Sequence, residues 1–234
     1  MSFYQELSRY YDEIFAVGPG EMDFLRSRLT DCRNILDVGC GTGNKTELLA
    51  EPGRRILGLD LDPDMIRLAD TYHPAEGITY QVGNMTEISR LAGAPFDGLI
   101  CLGNTLVHLE PPLVNTFFTD AAAILKPGAV LAIQILNYDC IIDSGLSELP
   151  LIDTEHTTFS RHYDWEAGAL HFRTHLEIKG GDSYDNDIIL HPLRRAALLE
   201  AMSVGFGAAQ FFGGYDGRPL AADSLVLIAI ATRS

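Results

Sequence analysis

Asp37, Gly39, Gly41 and Gly43 recur at every second position of the run Ile35-Leu36-Asp37-Val38-Gly39-Cys40-Gly41-Thr42-Gly43-Asn44, a spacing suited to a nucleotide-like ligand. Glycine has no Cβ and reaches φ > 0 without strain, so this turn lets a ligand approach the main chain. A second acidic residue, Asp60, ends the run Gly58-Leu59-Asp60-Leu61-Asp62, where a carboxylate can accept hydrogen bonds from ribose hydroxyls. His108, in Gly103-Asn104-Thr105-Leu106-Val107-His108, offers either a general base near neutral pH or a helix-start or surface histidine. Asn137-Tyr138-Asp139 offers hydrogen bonds to a substrate or a turn. Arg161 shares strand parity with Phe159, Tyr163 and Trp165; it grips a carboxylate if that face meets a cleft, and is a strand-edge charge otherwise.

These residues need a frame. Apolar runs alternate with amphipathic segments: strands at 35–38, 55–60, 78–82, 96–102 and 129–136, helices at 45–50, 63–72 and 111–125. That order predicts a mostly parallel sheet with helices on both faces. Asp62 is the expected N-cap of the helix that Pro63 opens, and Lys126-Pro127-Gly128 is expected to stop the long helix. Beyond Leu136 the pattern becomes two alternating strands, 157–165 and 169–179, around Glu166-Ala167-Gly168, with a third at 185–191. Their apolar side must cover something, and an insertion at this point falls over the C-terminal strand ends, as a lid. His171 and His175 lie with Arg173 on the polar side, which reads as a solvated face, and no metal site is expected. A helix at 192–203 and strands at 206–212 and 225–232 close the chain.

A dinucleotide fingerprint, G-x-G-x-x-G, would need a third glycine where Asn44 stands. Asp37-x-Gly39-x-Gly41-x-Gly43, followed by Asp60, instead resembles the first two motifs of class I S-adenosylmethionine-dependent methyltransferases. Leu125-Lys126-Pro127-Gly128 is similar to that family's L-K-P-G-G, with Ala129 replacing the second glycine, and Tyr10-Tyr11-Asp12 resembles the start of its small-molecule members. The resemblance implies an α/β Rossmann-like fold: a seven-stranded, mostly parallel sheet with an antiparallel last strand. The β lid inserted after strand five, at 153–191, looks like that of sugar-amine and glycine-type N-methyltransferases, within a single methyltransferase domain over 1–234.

The cofactor implied is S-adenosylmethionine, beside the backbone of Gly39, Cys40, Gly41 and Gly43, with Asp37 orienting that loop. Asp60 would hold the ribose and Leu61 pack near adenine, while Asn84, with an amide in place of the usual acid, and the Met85 backbone would meet the adenine amino group. Carbonyls of Leu102, Gly103 and Asn104 would face the cofactor's methionine amino group, and Tyr11 would fold over it from the first helix. Asn137, Tyr138 and Arg161 are the substrate-side candidates, and His108 the candidate base. The acceptor is a small molecule, nitrogen favoured over oxygen or carbon. Other readings of the same loop are a noncatalytic S-adenosylmethionine sensor or partner subunit, and an NAD-dependent oxidoreductase.

Seventeen basic against 32 acidic residues, a net charge of −15, argue against nucleic acid or an anionic membrane as partner. Four cysteines without C-x-x-C pairing match neither a zinc site nor a disulfide framework. Met1-Ser2-Phe3-Tyr4-Gln5-Glu6 shows no signal-peptide pattern, and the chain is expected to be cytoplasmic, a monomer or homodimer.

Overall fold

The alternation of apolar runs and amphipathic segments produces two sheets, and the computed structural model describes residues 3–234. In chain order the elements are α1 (Phe3–Ile14), α2 (Glu21–Arg28), β1 (Asn34–Val38), α3 (Asn44–Glu47), β2 (Arg55–Asp60), α4 (Pro63–Tyr72), β3 (Ile78–Val82), β4 (Phe96–Cys101) and α5 (Pro111–Ile124). They continue with β5 (Leu125–Leu136), α6 (Tyr138–Ser144), β6 (Ile152–Asp153), β7 (Thr157–Glu166), β8 (Ala169–Ile178), β9 (Ser183–Leu190), α7 (Arg195–Met202), β10 (Gln210–Phe212) and β11 (Val226–Thr232).

The main sheet has seven strands in the order β10-β11-β5-β4-β1-β2-β3. Strands β1 to β5 pair in parallel, and β11 runs antiparallel to β5 and β10. This is the Rossmann-like α/β arrangement expected from the sequence. Ile35, Leu36, Leu99, Ile100, Leu131 and Ile133 are wholly buried, because helices cover both faces of the central strands. One face packs on α5 and α7 through Phe117, Phe118 and Leu198, the other on α2 through Phe24 and Leu25. The chain steps outward from β1 to β3 and then returns to place β4 on the other side of β1, so a crevice opens between the C-terminal ends of β1 and β4.

The second sheet is antiparallel, in the order β6-β7-β8-β9. Its long hairpin turns at Ala167 (φ 51°) and Gly168 (φ 87°), the two positive φ values that a tight two-residue turn demands. Phe159, Tyr163, Leu170 and Leu176 are buried on its inner side. Trp165 departs from its parity partners: next to the hairpin turn it is 56% exposed. Helix α1 packs Phe3, Leu7 and Ile14 against Phe159 and Leu176 of this sheet.

Asp62 caps α4 as expected, its Oδ1 accepting from the Asp64 N–H at 2.8 Å. Other boundaries differ from the sequence reading. The helix expected at 45–50 is the four-residue α3, and the helix expected from Pro192 begins only at Arg195, with Pro192 to Arg194 non-helical. Only 210–212 of the expected strand 206–212 pairs as strand, although Phe206 bridges to Arg233. At Lys126-Pro127-Gly128 the helix has already ended: Leu125 pairs with Phe96, the pairing breaks, and it resumes with Val130 opposite Gly98. Gly128, at φ 80°, lets the strand bulge there.

Candidate active site

A cavity of about 530 Å³ lies between the crevice of the parallel sheet and the inner side of the second sheet, with α1 completing its wall. Its floor is Gly39 and Gly41 after β1, Asp60 and Leu61 at the end of β2, Asn84 and Met85 after β3, and Gly103 to Thr105 with His108 after β4. Tyr11 and Phe15 of α1 and Phe159, Arg161 and Phe172 of the second sheet face that floor.

The glycine loop is shaped by its neighbours as much as by its own dihedrals. Gly39, Gly41 and Gly43 have φ of 74°, 57° and 80°. A Cβ at Gly39 would stand 2.4 Å from the Thr105 side chain, and one at Gly43 would stand 2.5 Å from the Tyr80 hydroxyl. The loops after β1 and β4 therefore touch, as the change of direction in strand order requires. Gly39 and Cys40 donate to the Leu59 carbonyl at 2.7 and 3.1 Å, which bends the chain toward β2.

Asp60 joins that loop to the cavity. Its Oδ2 accepts from the Gly41 N–H at 2.9 Å and its Oδ1 from the Asp62 N–H at 3.0 Å. Burial pushes its carboxyl pKa up, against the pull of those backbone donors. Each oxygen keeps a lone pair for a ligand. Tyr11 lies over the loop, 3.2 Å from where a Gly41 Cβ would be. Burial, then the charges of Asp60 and Asp12, push its phenol pKa well above the ordinary value, so it stays a neutral donor.

Several residues singled out from the sequence lie behind the wall. Asp37 is buried beneath the loop, where its Oδ2 accepts from the Thr46 hydroxyl at 2.6 Å. Burial, opposed by that hydrogen bond and by Lys45, raises its pKa to about 6. Cys40 and Gly43 do not line the cavity: the Cys40 thiol is buried near Gly58, and Gly43 begins α3. The Leu102 carbonyl is taken by the Thr105 hydroxyl at 2.7 Å. Asn84 lines the cavity, yet its Oδ1 already accepts from the Thr86 N–H at 3.0 Å, one lone pair of the oxygen expected to face a ligand amine.

Asn137 and Tyr138, expected at the rim, are turned into the core. Tyr138 begins α6, a helix where the sequence suggested only a departing turn, and is fully buried. Its hydroxyl accepts from Asn104 Nδ2 at 3.0 Å, while Asn104 Oδ1 accepts from the Leu136 N–H at 3.0 Å. Asn137 Nδ2 donates to the Ser224 carbonyl at 2.8 Å. Both side chains brace the end of β5 instead of lining the cavity.

His108 and Arg161 do face the cavity. His108 ends the short 3-10 turn Thr105–His108, and burial lowers its imidazole pKa below 6.5, with Asp60 opposing and His191 reinforcing. The ring is thus neutral at pH 7 and able to accept a proton. Outside the cavity, His171 and His175 pair with Asp187 and Asp185 on the outer side of the second sheet at 2.9 and 2.7 Å. Phe15, Thr105, Thr174 and Asn186 also line the cavity and were not singled out from the sequence. The register partnering that places Thr174 opposite Arg161 was the missing signal.

The arrangement fits a nucleoside carried on an amino-acid chain: bare backbone at two glycines, a carboxylate at the β2 end and apolar side chains around them. Residues 35–128 match the family described as Methyltransferase domain. The chain is 28% identical over 200 residues to a ubiquinone biosynthesis O-methyltransferase of Xylella fastidiosa, covering 80% of this chain and 77% of that protein. The fold is shared with an S-adenosylmethionine-dependent methyltransferase from Clostridium acetobutylicum, at TM-score 0.82 and 16% identity over 99% of both chains. It is also shared with a sugar N-methyltransferase from a Streptoalloteichus species, at TM-score 0.72 and 19% identity, covering 99% of this chain and 93% of that one. No helix among the described residues is long and apolar enough to cross a membrane. The loop, the sheet order and these matches together support a class I S-adenosylmethionine-dependent methyltransferase.

Proposed function

We propose that the enzyme methylates a small molecule held between the cofactor and the second sheet, with an amine nitrogen as the favoured acceptor. The observation that carries this reading is the roofed cavity, in which Asp60 and the glycine backbone lie on the floor with His108 beside them, and Arg161 lies on the opposite wall. A concave, largely apolar cleft with a few polar groups suits a small ligand better than a polymer surface.

When bound, S-adenosylmethionine would supply a methyl on a sulfonium: the acceptor's lone pair would form the new bond to the methyl carbon as the carbon–sulfur bond breaks and its electrons leave with sulfur as a neutral thioether. The chain's own residues then have three tasks. Gly39 and Gly41 let the cofactor lie against the backbone, Asp60 accepts from its ribose hydroxyls, and Leu61 and Met85 flank its base. Residues 153–191, as a lid, keep water out and hold the acceptor in line, which is most of what a displacement of this kind requires. Neutral His108 takes the proton that an ammonium or hydroxyl acceptor must lose.

Nitrogen is favoured because the sugar N-methyltransferase shares this architecture over 99% of the chain, second sheet included. The test is a methylation screen over paired amines, alcohols and carboxylates of similar size, read by transfer of labelled methyl. Turnover of amines alone supports the reading; turnover confined to hydroxyls moves the acceptor to oxygen.

A further inference from the structure

Strands β7, β8 and β9 place Arg161, Thr174 and Asn186 in one row: Arg161 is opposite Thr174, and Thr174 is opposite Asn186. Directly opposed residues of antiparallel strands project to the same face, and all three line the cavity. On either side of that row the wall presents apolar side chains to the cavity, Phe159 on one side and Phe172 with Ile188 on the other, with Leu190 one row further. A polar stripe therefore crosses an otherwise greasy surface.

Two of its members each carry a buried polar atom without a partner. Thr174 is 5% exposed and its Oγ1 makes no hydrogen bond. Arg161 Nε is also buried without a partner, while Nη2 donates to the Pro150 carbonyl at 2.7 Å. No carboxylate is among the groups acting on this guanidinium, whose pKa burial lowers. In the same sheet Arg173, on the outer side, is matched by Asp164, Glu166 and Asp187. A buried guanidinium N–H and a buried hydroxyl left open side by side are costly unless something completes them.

We propose that this row is an anion subsite of the acceptor: the molecule methylated carries a carboxylate or phosphate whose oxygen is held by Arg161 Nε and Thr174 Oγ1. Asn186 extends the row outward, its Nδ2 donating to the Tyr4 hydroxyl at 3.3 Å. The apolar rows on either side hold the carbon skeleton, and the nucleophile points away from the anion toward the floor. The inference rests on the cavity being the acceptor site, and it narrows the acceptor to an anionic small molecule.

Calorimetry on the enzyme loaded with S-adenosylhomocysteine tests it with aniline, 4-aminobenzoate and 4-aminophenyl phosphate, which differ only in the anionic group. At least one anionic compound is expected to bind tenfold or more tightly than aniline, and whichever does so identifies carboxylate or phosphate. Arg161→Met and the near-isosteric Thr174→Val should each remove most of that preference, with S-adenosylhomocysteine affinity and melting temperature retained. Equal or absent binding of all three compounds overturns the subsite. So does an Arg161→Met variant that weakens S-adenosylhomocysteine itself, which would give the row to the cofactor's own carboxylate. Failure of S-adenosylhomocysteine to bind the wild-type protein would instead count against the cofactor reading beneath the proposal.

Discussion

His73 and Asp12 meet across 61 residues of chain, His73 Nε2 lying 2.7 Å from an Asp12 carboxylate oxygen. The other ring nitrogen lies 2.7 Å from Glu47 of α3, and the second Asp12 oxygen accepts from the Thr42 hydroxyl in the glycine loop. One imidazole thus fastens α1, which carries Tyr11 over the cavity, to the loop beneath it. Burial lowers the His73 pKa, but the hydrogen bonds to Asp12 and Glu47 outweigh it and the net shift is upward from 6.5. A folded pKa above the unfolded one stabilises fully below the unfolded value, and that contribution is lost as pH rises through the folded value. The melting-temperature gap between wild type and His73→Gln should therefore be widest near about pH 5.5 and narrow by about pH 8.5. A gap constant over that range would show that the charged pairs contribute nothing.

Asp60 holds the Gly41 N–H and faces the cavity with the same carboxylate. Asp60→Ala should weaken cofactor binding by about 1.5–3 kcal/mol, the scale of hydrogen bonds to a charged group. Calorimetry with S-adenosylhomocysteine measures this directly, and unchanged affinity removes Asp60 from the ribose site.

His108 should act on turnover more than on binding. Its burial-lowered pKa keeps it neutral at pH 7, so the acid limb of the rate profile belongs below pH 6.5. His108→Ala should lower kcat by about 10²-fold, the lower end for a positioned base, while cofactor affinity holds. A wild-type profile without that limb, or a variant with unchanged kcat, discards the base.

Gly39 tolerates no side chain, since φ is 74° and a Cβ would stand 2.4 Å from Thr105. Gly39→Ala should cost more than about 1 kcal/mol of stability, because both the dihedral and the space are wrong. Adding Thr105→Ala should recover the steric part only, and denaturant unfolding of the single and double variants separates the two contributions. Full recovery would mean that the dihedral costs nothing.

What the sequence disclosed was local. The glycine spacing, Asp60 at a strand end, the Asp62 cap and the alternation of the second sheet are each written within a few residues, and each appears in the structure. Asn137-Tyr138-Asp139 misled because two polar residues around a tyrosine resemble a turn, whereas Arg194, from far along the chain, pairs with Asp139 and Asp143 and supports α6. The stripe of Arg161, Thr174 and Asn186 depends on strand register, and the link from Asp12 to His73 depends on how α1 docks. Neither is encoded at short range.

Helix α1 finds its apolar partners in Phe159 and Leu176, not in the elements that follow it directly. The consequence is one of order in synthesis. As the chain leaves the ribosome, α1 emerges long before the surface that buries Phe3, Leu7 and Ile14, which is complete only once β7 and β8 have both been made. Strands β1 to β4 can pair beforehand, but the wall over the glycine loop is assembled late, so retention of cofactor by a nascent chain would mark the arrival of residue 176.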